Sequence, residues 1–433
     1  MFKTLQNAFK IKDIRTKIFY TLMMLVVVRI GSQLPIPGVN REFFSQWFSQ
    51  QTGDAFSFFN AVTGGSFLEM SVFALNITPY ITSSIIMQLL TIVIPKLEEM
   101  QKDGEDGRKK IASITRYVTV VLALIQAIAM AVGFGNKGLL QEFNFINVLT
   151  VIVALTAGSV FLMWIGERIT ENGVGNGISI VLLINIVSRI PADLGALFET
   201  FVKGKTLAYA ILAILIIAAV IILTTVLTVL LQGGERKISV QYAKKMQGRK
   251  MVGGQSTHIP LKVNTAGVIP IIFASSLLQF PVVIASLLGK SGSEWVKYLS
   301  SSNWCDPKNL KYSIGLLVYI ILVVFFAYFY TSITFNPLEV ANNLKKQGGF
   351  IPGIRPGTPT SDYLTKILNN IIFIGAVGLI IVAVIPIFFN GVFNAQVTFG
   401  GTSLIIIVGV VLETMKQIES QMLVRYYKGF LND

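Results

Sequence analysis

IFYTLMMLVVVRIGSQLPIP, residues Ile18 to Pro37, carries only Tyr20 and Arg29 as ionisable side chains. About 20 consecutive apolar residues wound as a helix match the thickness of a bilayer's hydrocarbon core, and few soluble proteins hold several such runs. The same pattern recurs along the chain, and hydropathy predicts ten spans near 17–37, 75–95, 114–134, 147–167, 177–191, 207–232, 265–288, 312–334, 369–390 and 401–422. The fifth is short, its start marked by glycines. Across all 433 residues, 53% are hydrophobic and 13% charged, well outside the range of soluble domains. The class is an all-α polytopic membrane protein.

Charge fixes the expected orientation. Lys and Arg on alternate sides of ten spans divide 26 against nine, with Arg29 inside a span completing the 36. Cytoplasmic loops carry the excess of basic residues, so both termini are expected in the cytoplasm. The basic side also holds 14 acidic residues, a net of +12 out of the chain's +14. Such a face attracts anionic lipids, ribosomal RNA or an acidic protein. Its loops at 233–262 and 336–368 are long, basic and rich in glycine and polar residues, a length that favours function or disorder. Phe2–Lys17 precedes a run that is long enough to span and lacks a small-residue cleavage site, so it reads as leading into a first span rather than a cleaved signal.

Several chemistries find no candidates. One cysteine, Cys305, gives no intramolecular disulfide, and one histidine, His258, makes a His-based metal site or triad implausible. The interiors of the better-marked spans lack Asp and Glu, which proton relays and intramembrane proteolysis need. Gly289-Lys290-Ser291 has a P-loop ending, but Ile284 stands where the first glycine belongs. No catalytic residues, cofactors or metals are expected, and energy must come from a partner or the membrane potential.

Three features suggest a conduit. FSFFNAVTGGSFLEM, Phe56 to Met70, is apolar, aromatic, interrupted by Gly64-Gly65 and too short to span. A re-entrant half-helix is predicted, since irregular backbone at membrane depth survives only inside protein or beside a cavity; an interfacial amphipathic helix is the bland alternative. Polar and helix-breaking residues interrupt particular spans: Asn76, Thr78, Pro79, Thr82, Ser83, Ser84 and Gln88 in the second, Asn185 in the fifth, Pro270, Ser275, Ser276 and Gln279 in the seventh. Such residues turn toward other helices or an aqueous path. Five spans per half, with Gly64-Gly65-Ser66 before the second and Gly400-Gly401-Thr402-Ser403 before the tenth, hint at an inverted duplication. A protein-conducting channel and a secondary transporter for a small solute both fit these features.

Longer motifs are more specific. SVFALNITPYITSSIIMQLL (Ser71–Leu90), FLMWIGERITENGVGNGISI (Phe161–Ile180), QSTHIPLKVNTAGVIPIIFASS (Gln255–Ser276), NPLEVANNLKKQGGFIPGIRPG (Asn336–Gly357) and GGTSLIIIVGVVLETMKQIES (Gly400–Ser420) resemble the SecY family, central subunits of the bacterial protein translocase. The resemblance runs from the N-terminus to the last span. It implies two inverted five-helix halves, 1–195 and 196–433, around an hourglass pore in the plasma membrane. Residues 56–70 match the plug, including Phe56, Phe58, Phe59, Asn60, Gly64, Gly65 and Phe67. The pore ring matches Ile77, Ile81, Leu182, Ile186, Ile272 and Ile406, where Leu182 departs from the usual isoleucine. Isoleucines in spans face lipid by default, and the resemblance alone selects these. A lateral gate is implied between the second and third spans and the seventh and eighth, with Thr82, Ser83, Gln88, Ser275, Ser276 and Gln279 along it. The 233–262 and 336–368 loops match those that dock the ribosome or the motor ATPase SecA, with Lys244, Lys245, Arg249, Lys250 and Arg355 as contacts. SecE-type and SecG-type small subunits, signal peptides and unfolded preproteins are the other implied partners. A leader leaving sideways into lipid gains about 0.8 kcal/mol per buried methylene, which offsets the cost of parting a polar seam.

Overall fold

The computed structural model describes the chain apart from residues 1, 43, 45–62, 141, 243–244, 248–249, 253–255, 288–292, 301–302, 306, 308, 394–400 and 430–433. Among the described residues the helices are α1 (Phe2–Lys10), α2 (Lys12–Gln33), α3 (Thr78–Val93), α4 (Pro95–Lys102), α5 (Glu105–Phe134), α6 (Phe145–Asn172), α7 (Gly177–Phe201), α8 (Leu207–Gly233), α9 (Ile269–Leu287), α10 (Glu294–Leu299), α11 (Ile314–Thr334), α12 (Pro337–Lys346), α13 (Thr358–Phe393) and α14 (Gly401–Gly429). The ten long ones coincide with the ten expected spans. Six are each long and apolar enough to cross a membrane, and the bent pair α3–α4 makes a seventh.

Boundaries depart from the hydropathy reading for local reasons. Residue 94 precedes a proline, which disfavours the α region; Ile94 is extended, and α3 and α4 meet at 106°. The second span therefore ends at Val93. It also starts at Thr78 rather than 75, because Asn76 holds φ +53 and its Oδ1 accepts the Ile77 amide at 2.8 Å. The fifth span is not short. It continues through Pro191 to Phe201, 25 residues in all, so a domain boundary after residue 195 falls inside α7. At its other end Asn176 caps the helix by accepting from Ile178 N at 3.1 Å and Ser179 N at 3.4 Å.

Packing divides the long helices into two sets. In the first, α2 lies on α6 and α7, α3 on α5, α5 on α6 and α6 on α7. In the second, α9 lies on α11, α11 on α13, and α8 on α13 and α14. The sets meet where α14 packs on α7 and α1. Ala8, Ile14 and Val174 are buried there with Met415 and Ile418.

The two long loops on the basic side are one ordered body. Strand β1 (Glu235–Tyr242) pairs antiparallel with β4 (Ser256–Lys262), Glu235 opposite Lys262 and Gln241 opposite Ser256. A short ladder of β2 (Lys245–Gln247) and β3 (Lys250–Val252) lies at the tip. From the second loop, β5 (Gly349–Phe350) adds to the free edge of β1, giving the order β4-β1-β5. Ile238 and Val240 turn inward by strand alternation and pack with Leu261, Leu344, Ile351, Leu364 and Ile367. Asn336 caps α12 by accepting from Leu338 N and Glu339 N, with Pro337 in the first turn. Helix α13 has 36 residues, about 54 Å at 1.5 Å per residue against a core of about 30 Å. Its first turns carry this body.

One crossing leaves no room for a side chain. A Cβ on Gly177 would overlap the Gly166 carbonyl where α7 leaves α6. Gly177→Val is therefore expected to cost about 1–3 kcal/mol by overpacking and to lower the midpoint of thermal unfolding in detergent. Gly195→Ala, in the same helix with open space around it, is the control and should leave the midpoint unchanged or slightly raised.

Candidate functional site

A cavity of about 760 Å³ opens between the two helix sets on the basic side. One wall comes from α3, α5, α6 and α7 through Tyr80, Gln88, Arg116, Glu167 and Ser179, and the other from β4, the turn after it, α9, α11 and α14 through Lys262, Thr265, Ile269, Tyr330 and Lys416. Its upper walls are polar. Its floor is aliphatic: Ile81, Leu182, Ile272 and Ile406 all border it.

The floor is backed by a packed layer. Ile77, Ile186 and Ile406 are buried in one cluster with Val28, Phe73 and Leu162, and Ile81 and Ile272 pack against it. Ile77 is fully buried at the start of α3, and Ile81 lies one turn on, its amide donating to Ile77 O at 3.0 Å. Five of the six expected ring positions thus meet in one cluster, and Leu182 borders the cavity with Ile81, Ile272 and Ile406. None of the six lies on the lipid-exposed surface.

Beneath the floor sits the described part of the expected plug. Residues 63–70 form consecutive turns, with φ +65 at Gly64 and +89 at Gly65; residues 56–62 of the expected half-helix lie outside the described residues. Ser66 N and Oγ both donate to Thr63 O, and Ser71 N donates to Ser66 O at 3.1 Å. The chain before α3 is also tied to the end of α2, with Ile36 N donating to Met70 O and Val72 N to Leu34 O at 2.9 Å. Phe67 and Met70 are buried with Phe44, Phe134, Leu155 and, from the opposite set, Val282 and Ala285. Phe67 meets Phe44 edge to face at 5.9 Å. Phe56, Phe58, Phe59 and Asn60 lie outside the described residues.

Gly64 sets the position of these turns. A Cβ there would stand 2.8 Å from Asn185 O and 2.9 Å from Asn185 Cα, next in sequence to Ile186 of the floor. Its φ of +65 is one that side-chain-bearing residues rarely adopt. Asn185 itself is 2% exposed, and its Oδ1 has no hydrogen-bond partner among the described residues.

The expected gate residues behave differently from one another. Gln88 lines the cavity. Thr82 and Ser83 donate to the Thr78 and Pro79 carbonyls of their own helix at 3.0 and 2.8 Å, and Ser275 hydrogen-bonds Tyr319 of α11. These three hydroxyls are satisfied on their own side of the seam instead of across it. Ser276 is exposed, and the Gln279 side chain lies outside the described residues. Of the expected docking residues, Arg355 is exposed in the turn between β5 and α13, its carbonyl accepting from Thr360 Oγ1 at 2.8 Å. Lys245 and Lys250 lie on the β2–β3 tip, while Lys244 and Arg249 fall outside the described residues.

Some interactions had no distinct sequence signal. Arg116 Nε reaches Glu167 Oε1 at 2.6 Å and Lys416 Nζ reaches Glu235 Oε1 at 2.9 Å, both at the cavity's rim. Lys416 holds the Glu235 carboxyl below its ordinary range. Ser159 Oγ of α6 donates to the Asn76 carbonyl at 3.0 Å, fixing the kink before α3. Arg29, inside the first span, is partly buried in α2, and its Nη1 has no hydrogen-bond partner among the described residues.

The profile of the SecY family matches residues 71–415. This chain belongs to the SecY family. The Protein translocase subunit SecY of Halalkalibacterium halodurans is 47% identical over the full length of both chains, and that of Bacillus subtilis 44%, also over both full lengths. The fold is similar to that of a solved protein-conducting channel, with a TM-score of 0.64 at 18% identity over 94% of this chain and 93% of that one. Sec61 in the canine ribosome-channel complex from the endoplasmic reticulum gives 0.60 at 17% identity, covering 94% and 93%. In this SecY-family chain, the cavity with its aliphatic floor and the glycine-seated turns beneath it form the candidate conduction path.

The seat at Gly64 generates a direct test. With Cys305→Ser removing the native thiol, Phe67→Cys should react slowly with a water-soluble maleimide, because residue 67 is buried. Adding Gly64→Val should raise that rate about tenfold or more, equivalent to ~1.4 kcal/mol or more of lost seating. Equal rates would mean that Gly64 does not hold the segment.

Proposed function

We infer that this chain is the channel-forming subunit of a protein translocase, passing unfolded polypeptides across a membrane and releasing apolar segments sideways into it. The observation that carries this reading is the cavity whose floor is made of aliphatic side chains from four elements distant in sequence. An apolar constriction resists wetting and so impedes ions without a fixed charge. It also offers a sliding chain no hydrogen bond or charge to hold it. A small-solute transporter would instead line such a point with convergent polar groups.

In this reading Ile77, Ile81, Leu182, Ile186, Ile272 and Ile406 are the pore ring, residues 56–70 the plug, and the seam from α3 to α9 and α11 the lateral gate. The two helix sets are the two halves of the channel, the first five long helices and the last five. The halves swing about the α7–α14 contact. The basic side is cytoplasmic and the membrane is the bacterial plasma membrane, as the division of Lys and Arg supports. The ordered β4-β1-β5 body and Arg355 receive the ribosome or the motor ATPase SecA. SecE-type and SecG-type subunits complete the membrane complex, and anionic lipids hold the basic face. The chain does no chemistry itself.

In proteoliposomes, the purified complex should import a secretory precursor only when the motor and ATP are added. Accumulation of a small solute without precursor import would overturn the assignment. Replacing Ile77, Ile81 and Ile272 with serine should raise resting conductance in a planar bilayer severalfold while precursor transport persists, since hydroxyls stabilise water at the floor. Arg355→Glu should reduce ATP-driven import about tenfold or more, ~1.4 kcal/mol or more of lost coupling, with the complex still assembled.

A further inference from the structure

The charges lining the cavity are balanced, although the face around it is not. Three acids, Glu167, Glu171 and Glu413, and three bases, Arg116, Lys262 and Lys416, border it, whereas the basic side as a whole carries a net of +12. The balance is also local. Arg116 pairs with Glu167 at 2.6 Å within the lining, while Lys416 reaches Glu235 at 2.9 Å and Glu171 reaches Arg168 at 2.7 Å, one acid and one base just outside it, which leaves the sum at zero. A sphere of this volume is roughly 11 Å across, close to the ~8 Å Debye length at physiological salt. Any charged side chain inside it therefore senses both walls at once.

We propose that this balance is a specificity-determining device: the six lining side chains sum to zero, so the mouth of the path adds no net charge of its own within the surrounding basic face. Recruitment and conduction are thereby separated. The outer rim of the basic face can attract acidic or phosphate-bearing partners, yet the mouth neither traps an acidic stretch of the moving polypeptide nor repels a basic one. Low-dielectric walls focus the field of an uncompensated set of like charges into the cleft. An unbalanced mouth of three like charges would discriminate strongly. The proposal rests on the reading of the cavity as the mouth of the polypeptide path.

The test compares two channel variants with two precursors sharing one leader, their mature parts lysine-rich or glutamate-rich. The E167Q/E171Q/E413Q variant leaves the three lining bases and frees Arg168 of its partner, and the R116Q/K262Q/K416Q variant leaves the three lining acids and frees Glu235 of its partner. In proteoliposomes containing the full complex and motor, the first should slow the lysine-rich precursor about tenfold relative to the glutamate-rich one, and the second should reverse the preference. Both effects should shrink at high salt. Because each result is a ratio of two precursors in one preparation, a loss of folded channel cancels. The neutral swap R116E/E167R keeps the balance and should keep the parent's ratio even if total activity falls. Ratios that stay at the parent value in both triple variants would overturn the proposal. A photoreactive residue at Ile272 that still cross-links to a stalled precursor in those variants would leave the conduction path standing. Absence of that cross-link in the parent would remove the path itself.

Discussion

A polypeptide path through a bilayer must satisfy two demands that conflict: it has to admit a chain of any sequence and it has to keep ions out. Aliphatic side chains meeting at one level satisfy both, because they withhold hydrogen bonds from water and from the moving chain alike. In this structure Ile77, Ile81, Ile186, Ile272 and Ile406 meet in one cluster and Leu182 borders the adjoining cavity, from α3, α7, α9 and α14. The rest of the architecture holds those four elements in register. The α7–α14 contact joins the two helix sets, the ordered β4-β1-β5 body braces the basic end, and the packed layer below closes the opposite end.

The contact of residues 63–72 with α2 and α7 depends on backbone proximity more than on strong pairwise bonds. Gly64 approaches α7 so nearly that no side chain fits, and two hydrogen bonds tie residues 70 and 72 to the end of α2. Phe67 and Met70 then complete an apolar layer that includes residues of α9. Such contacts are individually small and collectively large, and they leave few polar groups to desolvate when the layer parts. Along the seam, Thr82, Ser83 and Ser275 bond within their own side. Separation of the two sides therefore breaks none of these three hydrogen bonds.

The basic end follows different rules. There the chain leaves the hydrocarbon, and its long segments fold as soluble proteins do, with strand alternation burying Ile238 and Val240, and Asn336 capping α12. Hydropathy detects only the apolar part of a helix, so it starts α13 eleven residues late and α5 nine residues late. Polar helical turns beyond the membrane carry no hydropathy signal, yet they support the platform. The same blindness hid the continuation of α7 through Pro191, where a proline and polar residues look like a terminus.

The sequence by itself determined the membrane class, the order of the long helices and the side of the excess charge, because each is written in composition along short windows. It also carried the family through long motifs. Which isoleucines meet in one cluster was decided only by tertiary structure: an apolar side chain has the same hydropathy whether it meets lipid or another helix, so the one-dimensional pattern holds no contrast between Ile77 and its lipid-facing neighbours. The seat of Gly64 on Asn185 and the balance of six charges around the cavity are of the same kind. They join residues more than a hundred positions apart, and only the packing of the helices brings them within contact or within a screening length.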